Sequence, residues 1–332
     1  MDRENRPVIL AGTYEIRETI GSGGGGVVYK AWHTRLQKEV VLKEMTGSGS
    51  ARLETQRAEV DILKSLKHSY LPQVYDFIQE DGKTYTAMEY IQGWSLDKLL
   101  EKGEPFSRPQ VVKWTRQLCQ ALEYLHGQQP PILHSDIKPA NVMLTPSGDI
   151  CLIDFNISLM LGDDGAIAVG RTHGYASPEQ YAPIESILGT SRDSSGPADT
   201  EAVSDTDMLS DTTVVDDSLT GATFMEGDSA TEVTGTPPSV PQPASNTMPI
   251  RLRLDVRSDI YSLGATIYHL LTGQKPQRMA TDVIPLSATG HYGKSLSTLV
   301  ETAMNPDPSR RYQSMTEMLA AVNRLHRDDP RY

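Results

Sequence analysis

Lys43, Glu59, Asp136, Asn141 and Asp154 occur along this chain in an order that could manage one metal-bound triphosphate. The richest stretch is Ile132-Leu133-His134-Ser135-Asp136-Ile137-Lys138-Pro139-Ala140-Asn141. In it Asp136 is suited to orient an attacking hydroxyl and accept its proton. Lys138 would neutralise charge on a transferring γ-phosphoryl group, and Asn141 would ligate magnesium. Asp154, in Leu152-Ile153-Asp154-Phe155-Asn156, offers a carboxylate that can bridge the protein to magnesium held by β- and γ-phosphate oxygens. Charge develops during in-line transfer, so fixed charges in a partly dehydrated cleft count for more there than in water. An acidic, asparagine-bearing loop beside another turn is the bland alternative, and it leaves the order of the five groups unexplained.

The phosphate end of such a ligand needs backbone donors. Ile20-Gly21-Ser22-Gly23-Gly24-Gly25-Gly26-Val27-Val28-Tyr29 has the spacing G-x-G-x-x-G-x-V, whose glycines let N–H groups approach phosphate oxygens with no Cβ in the way. Taken alone, a plain glycine turn fits as well. A dinucleotide-binding turn fits less well, because the glycines lead into a strand-like run and not into a helix. Lys43 ends the apolar run Val40-Val41-Leu42. It reads either as a snorkelling surface residue or, with Glu59 on the following helix to hold its ammonium, as a group aimed at the α- and β-phosphates.

The elements that must position these groups change character along the chain. Tyr14 to Tyr29 reads as strand, glycine turn, strand. Glu39–Glu44, Leu71–Gln79 and Thr84–Tyr90 add strands, and Ser50–Leu66 repeats its apolar residues at helical spacing. After Gly93 helices dominate, over Ser95–Leu100, Ser107–His126, Ile260–Leu271 with a stop at Gly273, Leu296–Met304 and Thr316–Leu325. Short strands around Val142–Leu144 and Cys151–Ile153 bracket a turn.

The formal charge of -12 and a pI near 5.1 argue against nucleic acid as a partner, which would want a basic footprint. Cys119 and Cys151 lack zinc spacing and read as reduced, partly buried residues. No apolar run is long enough to cross a bilayer, and no signal peptide opens the chain. The expectation is a cytoplasmic body, with membrane association only through sequence absent from this chain. Glu185 to Thr247 holds twelve acidic residues and one basic residue, so it carries -11 of the charge of -12. Rich in Ser, Thr and Pro and poor in bulky apolar residues, this insertion is expected to be largely disordered.

Together the motifs resemble the bacterial, eukaryotic-like serine/threonine protein kinases, from about Thr13 to Leu325 with 184–250 outside the match. Val40-Val41-Leu42-Lys43 is similar to the family's V-A-I-K, and His134 to Asn141 to its H-R-D-L-K-P-x-N. The resemblance implies an α+β, bilobal fold with an antiparallel β-rich N-lobe and a helical C-lobe. Its expected divisions are an extension over 1–12, N-lobe and hinge over 13–91, C-lobe over 92–183 and 251–325, the acidic insertion over 184–250, and a tail over 326–332. ATP and magnesium (manganese as an alternative) are the implied ligands. Ile20, Gly21, Ser22, Gly23, Gly26 and Lys43 would then meet the nucleotide, Glu89 and Ile91 the adenine edge, and Val28, Val41 and Met143 the base faces, with Met88 as gatekeeper. Leu63, Val74, His134 and Phe155 match the stack joining the lobes, and Asp259 would brace the catalytic loop. Thr172 would contact Asp136 and Lys138, and Glu179 would pair with Arg311.

Four positions depart from the family pattern. Ser135 replaces the arginine before Asp136, so the usual capture of a phosphorylated activation loop loses its cation, and constitutive or differently regulated activity is expected. Asn156 replaces glycine, Ser177 replaces alanine, and Arg171 stands where glycine often precedes the threonine. An ATP-binding pseudokinase scaffold is the alternative these changes suggest, against retention of all five groups. The insertion is open to three readings. It could be a tolerated disordered loop, a tether whose autophosphorylated threonines (Thr206, Thr212, Thr213, Thr220) recruit a phosphothreonine-binding partner, or a segment that mimics substrate or selects basic substrates through charge. Protein substrates are the implied partners, and the chain is expected to be a monomer or weak homodimer.

Overall fold

Runs such as Val27-Val28-Tyr29 and Val40-Val41-Leu42 combine β-branched and aromatic residues that suit a pleated, half-buried surface. In the computed structural model they form six strands: β1 (Ile9–Leu10), β2 (Tyr14–Gly23), β3 (Gly26–His33), β4 (Lys38–Met45), β5 (Val74–Glu80) and β6 (Lys83–Glu89). They pair antiparallel in the order β1-β2-β3-β4-β6-β5. The structure describes residues 8–23, 26–45, 50–103, 106–154, 172–181, 254–277 and 283–328, without the side chains of 50–53, 55, 59 and 326–328. Of the chain's two units, Met1–Thr190 with Arg251–Tyr332 and Ser191–Ile250, the second lies wholly outside these residues, as does the proposed disorder of the insertion.

Strand periodicity places the chemistry. Side chains alternate across a strand, so the fully buried Val40 and Leu42 point into the upper core with Ala31 and Ala87, leaving Val41 and Lys43 on the opposite face. The register sets Val28 against Lys43 and Val41 against Met88. Helix α1 (Ser50–Ser65) carries Glu59 and buries Val60 and Leu63 in a core that also holds Val74 and continues into the helical lobe.

A second sheet, ordered β7-β8-β9, comprises β7 (Trp94–Ser95), β8 (Val142–Leu144) and β9 (Ile150–Leu152). The chain reaches it through Gly93 at φ 141°, where a Cβ would collide with the carbonyl of Leu144. Helices α2 (Leu96–Glu101), α3 (Arg108–His126), α4 (Val256–Thr272), α5 (Leu286–Thr289), α6 (Lys294–Ala303) and α7 (Met315–Asp328) complete the lobe. At the start of α3 the Ser107 N–H donates to Gln110 Oε1 at 3.0 Å, with Pro109 in the first turn. Asp255 caps α4 by accepting from the Arg257 N–H at 2.8 Å, and Gly273, at φ 69°, ends it. α4 is buried nearly all round. A Cβ on Gly264 would lie 2.8 Å from that of Ala303, so the glycine sets how closely α4 and α6 approach.

Differences from the sequence reading are local. Leu71 sits in a turn, its N–H donating to His68 O at 3.2 Å, so the strand expected from Leu71 begins at Val74. Tyr90 lies past the end of β6. Pairing starts ahead of Thr13, at Ile9–Leu10, because the two-residue edge strand was too short to show a period.

Candidate active site

Between α3 and β8 the chain is mostly irregular, broken by one 3-10 turn, Pro139–Asn141, that Pro139 opens. Three polar side chains converge on the Asp136 carboxylate. Thr172 Oγ1 donates to Asp136 Oδ1 at 2.6 Å, Lys138 Nζ lies 2.8 Å from Oδ2, and Asn141 Nδ2 donates to Oδ2 at 3.0 Å. The same Asn141 nitrogen donates to the Asp136 carbonyl at 2.7 Å, and Lys138 Nζ donates to Thr172 Oγ1 at 2.8 Å. Burial pushes the Asp136 carboxyl up, but bonds from Lys138 and Thr172 outweigh it and hold the group below the usual carboxylate range.

The loop is fixed from below by α4. Asp259, fully buried, accepts from the backbone N–H groups of His134 at 2.9 Å and Ser135 at 2.8 Å, and from His126 Nε2 at 2.9 Å. Burial would protonate such a carboxyl, yet the His126 bond and these donors keep it below its ordinary value. His126, in the last turn of α3, was absent from the sequence reading. Its only signal was a histidine in the last turn of an amphipathic helix. Ser135 itself holds φ 63°, a left-handed conformation uncommon outside glycine.

Lys43 Nζ, from β4, contacts Asp154 Oδ1, which joins the N-lobe sheet to the segment after β9. Asp154 also adopts a left-handed backbone, at φ 67°. Phe155, Asn156 and Arg171 lie outside the described residues. The Glu59 side chain is outside them too, so its pairing with Lys43 has no structural counterpart here. In the glycine turn Gly23 faces Gly26 (φ 115°), Gly21 faces Val28, Ser22 faces Val27, and Ile20 is exposed. Val28, Val41, Met88, Ile91 and Met143 are each half-buried, and Glu89 at the end of β6 is exposed. Among the stack residues Leu63, Val74 and His134 are buried, with His134 Nε2 3.1 Å from the Ile153 carbonyl.

Oxygen donors suit a hard divalent cation. With its amide nitrogen committed to Asp136, Asn141 has its side-chain oxygen left as a lone-pair donor, and Asp154 adds a partly exposed carboxylate. No group of three or more His, Cys, Asp or Glu arranged to hold a metal ion occurs among the described residues. One carboxylate and one amide oxygen therefore fit magnesium shared with substrate phosphates better than a cage made by protein alone.

Beyond Thr172 the chain turns at Gly174, whose φ of 88° sets its backbone against the Pro276 carbonyl. Glu179 then meets Arg311 in a two-pronged pair at 2.6 and 2.8 Å, both side chains almost completely buried, with Ser258 Oγ donating to Glu179 at 2.8 Å.

Burial also lowers the pKa of four histidines, His33, His68, His134 and His269, below the ordinary 6.5. A depressed imidazole means the unfolded chain binds more protons than the folded one as pH drops below 6.5. Thermal melts are expected to show stability falling between about pH 7 and 5.5, before the bulk of carboxylates titrate. A melting temperature constant over that window would contradict the burial of these rings.

The profile of the protein kinase domain matches residues 14–199, more than half of the chain. The chain belongs to the protein kinase domain family. PknB of Mycobacterium tuberculosis is 27% identical over 350 residues, covering 98% of this chain and 44% of its own length. A probable serine/threonine-protein kinase of Streptomyces coelicolor is 37% identical over 186 residues, 52% of this chain and 27% of that protein. In fold the chain is similar to the crystal structure of the PknI kinase domain of M. tuberculosis, with a TM-score of 0.61, 22% identity and coverage of 96% and 97%. It is a bacterial, eukaryotic-like serine/threonine protein kinase domain. The domain spans less than half the length of these curated relatives. No helix among its described residues is long and apolar enough to cross a membrane.

Proposed function

We propose that this kinase domain transfers the γ-phosphoryl group of ATP to serine and threonine hydroxyls of proteins. The observation carrying the reading is the convergence of Thr172, Lys138 and Asn141 on Asp136, together with the contact of Lys43 with Asp154. In this reading the Asp136 carboxylate receives the substrate hydroxyl where it now receives that of Thr172. Its depressed pKa makes it a weak base, so it orients the nucleophile first and takes the proton late, as the phosphoryl group leaves. Lys138 stays beside the transferring group as a fixed positive charge, and Lys43 leaves Asp154 for the α- and β-phosphates. Asn141 and Asp154 would hold magnesium, which supplies positive charge to the β- and γ-phosphate oxygens. The glycine turn lays backbone N–H groups along the phosphates, Glu89 and Ile91 present backbone to the adenine edge, and Val28, Val41, Met88 and Met143 exclude water around the base.

The finer reading is autophosphorylation without capture of a phosphorylated loop by an arginine, because the residue before Asp136 is the buried Ser135. Incubation with ATP radiolabelled on its γ-phosphate, before and after phosphatase treatment, tests both parts. Labelled phosphoserine or phosphothreonine on the chain and on a basic protein is expected, with turnover changed less than about tenfold by the phosphatase. Absence of label would sink the catalytic reading. A larger loss would restore the usual switch.

A further inference from the structure

Ser135 and Ser177, two of the departures from the family pattern, are joined in space by a side chain that neither motif singled out. Gln180 lies in a short 3-10 turn, Pro178–Tyr181, and is 1% exposed. Its Oε1 accepts from Ser177 N at 2.8 Å and from Ser177 Oγ at 3.1 Å. Its Nε2 donates to the Ser135 carbonyl at 3.0 Å. We propose that Gln180 is a positioning residue for phosphotransfer, holding the peptide that precedes Asp136 from the C-terminal end of the activation segment. The inference rests on the phosphotransfer reading above.

The geometry explains why a clamp is needed. Ser135 occupies a left-handed conformation that a non-glycine residue keeps only when its surroundings enforce it. Two bonds do so from opposite sides. Asp259 takes the Ser135 N–H, and Gln180 gives a hydrogen to the Ser135 C=O, which belongs to the same peptide plane as the Asp136 N–H. Losing the second bond frees that plane to rotate, and the Asp136 carboxylate moves with it. The turn carrying Gln180 is itself anchored, because its neighbour Glu179 is tied to Arg311. Gln180 therefore links Asp136 to a fixed point through backbone atoms, independently of the side chain at 135. Ser177 sharpens the link: a hydroxyl where alanine is usual adds a second donor that fixes which way the Gln180 amide faces.

Steady-state kinetics of Gln180→Met, normalised to nucleotide-binding sites, test this. Methionine fills similar space with neither donor nor acceptor. The expected result is a kcat about tenfold lower with the KM for ATP within about twofold of wild type, since a small misplacement of a reacting group costs rate and not nucleotide affinity. A kcat per site within about twofold of wild type, whatever the melting temperature does, would overturn the proposal. Should that variant not fold, Ser177→Ala removes only the hydroxyl bond. A roughly threefold fall in kcat at unchanged KM for ATP is then expected, and an undiminished kcat would be equally fatal. Wild-type turnover that Asp136→Asn abolishes in the same assay separates failure of this inference from failure of the phosphotransfer reading.

Discussion

Asp136→Asn is expected to keep nucleotide binding and to lose phosphotransfer by about 10²–10⁴-fold, the usual worth of a placed proton acceptor. The carboxylate accepts from Thr172, Lys138 and Asn141 at once. An amide has one acceptor oxygen, and its NH₂ would be turned toward one of these donors. The substitution therefore removes the acceptor for a substrate hydroxyl and loosens its neighbours, while leaving Lys43 and Asp154 untouched. Turnover per nucleotide-binding site, with bound nucleotide measured separately, is the readout. Equal incorporation by variant and wild type would remove Asp136 from the mechanism.

The second large effect is on stability. Arg311→Met should destabilise the folded domain by about 3–5 kcal/mol, because Glu179 would stay buried with its main partner gone. Arg311 also donates to the carbonyls of Asn305, Arg257 and Pro306, so the change opens the junction of the activation segment with α4 and the segment after α6. A fall in melting temperature of roughly 10 °C is expected. The pH dependence gives an independent check. Burial raises the Glu179 pKa while Arg311 and Ser258 bring it below the ordinary 4.5, so in the wild type its stabilising contribution is present at neutral pH and lost as pH falls through that depressed value. Without Arg311 only the raising influence of burial is large, and Glu179 would take up a proton at higher pH. The deficit of the variant should shrink on acidification, and Glu179→Gln combined with Arg311→Met should recover part of it. A single variant as stable as wild type would contradict the burial of the pair.

Much of this site was legible in the chain because its groups sit in short motifs with fixed chemistry. The stretch from His134 to Asn141 announces a loop that can gather oxygen and nitrogen ligands, and the structure brings Lys138, Asn141 and Thr172 each onto Asp136. Val40, Val41 and Leu42 read as an apolar strand ending in Lys43, and the pleat of β4 then sets that lysine on the face away from the upper core. What stayed hidden depends on contacts between residues far apart in sequence. His126 and Asp259 are separated by 133 positions, and nothing local to either marks the bond between them. Gln180 looked like an ordinary residue after Pro178-Glu179, since its importance comes from a carbonyl 45 residues away. The left-handed backbone at Ser135 and Asp154 was equally unreadable: neither residue type demands it, and surrounding bonds impose it at Ser135.

The central claim is that Lys43, Asp136, Asn141 and Asp154 serve one triphosphate. A crystal structure of the domain with a non-hydrolysable ATP analogue and manganese, read by the metal's anomalous signal, tests it most directly. The account predicts a metal peak bonded to Asp154 and Asn141 oxygens, Lys43 turned from Asp154 to the phosphates, and the γ-phosphate facing Asp136. A nucleotide bound with its phosphates away from Asp136, or a metal held by neither Asp154 nor Asn141, would contradict it.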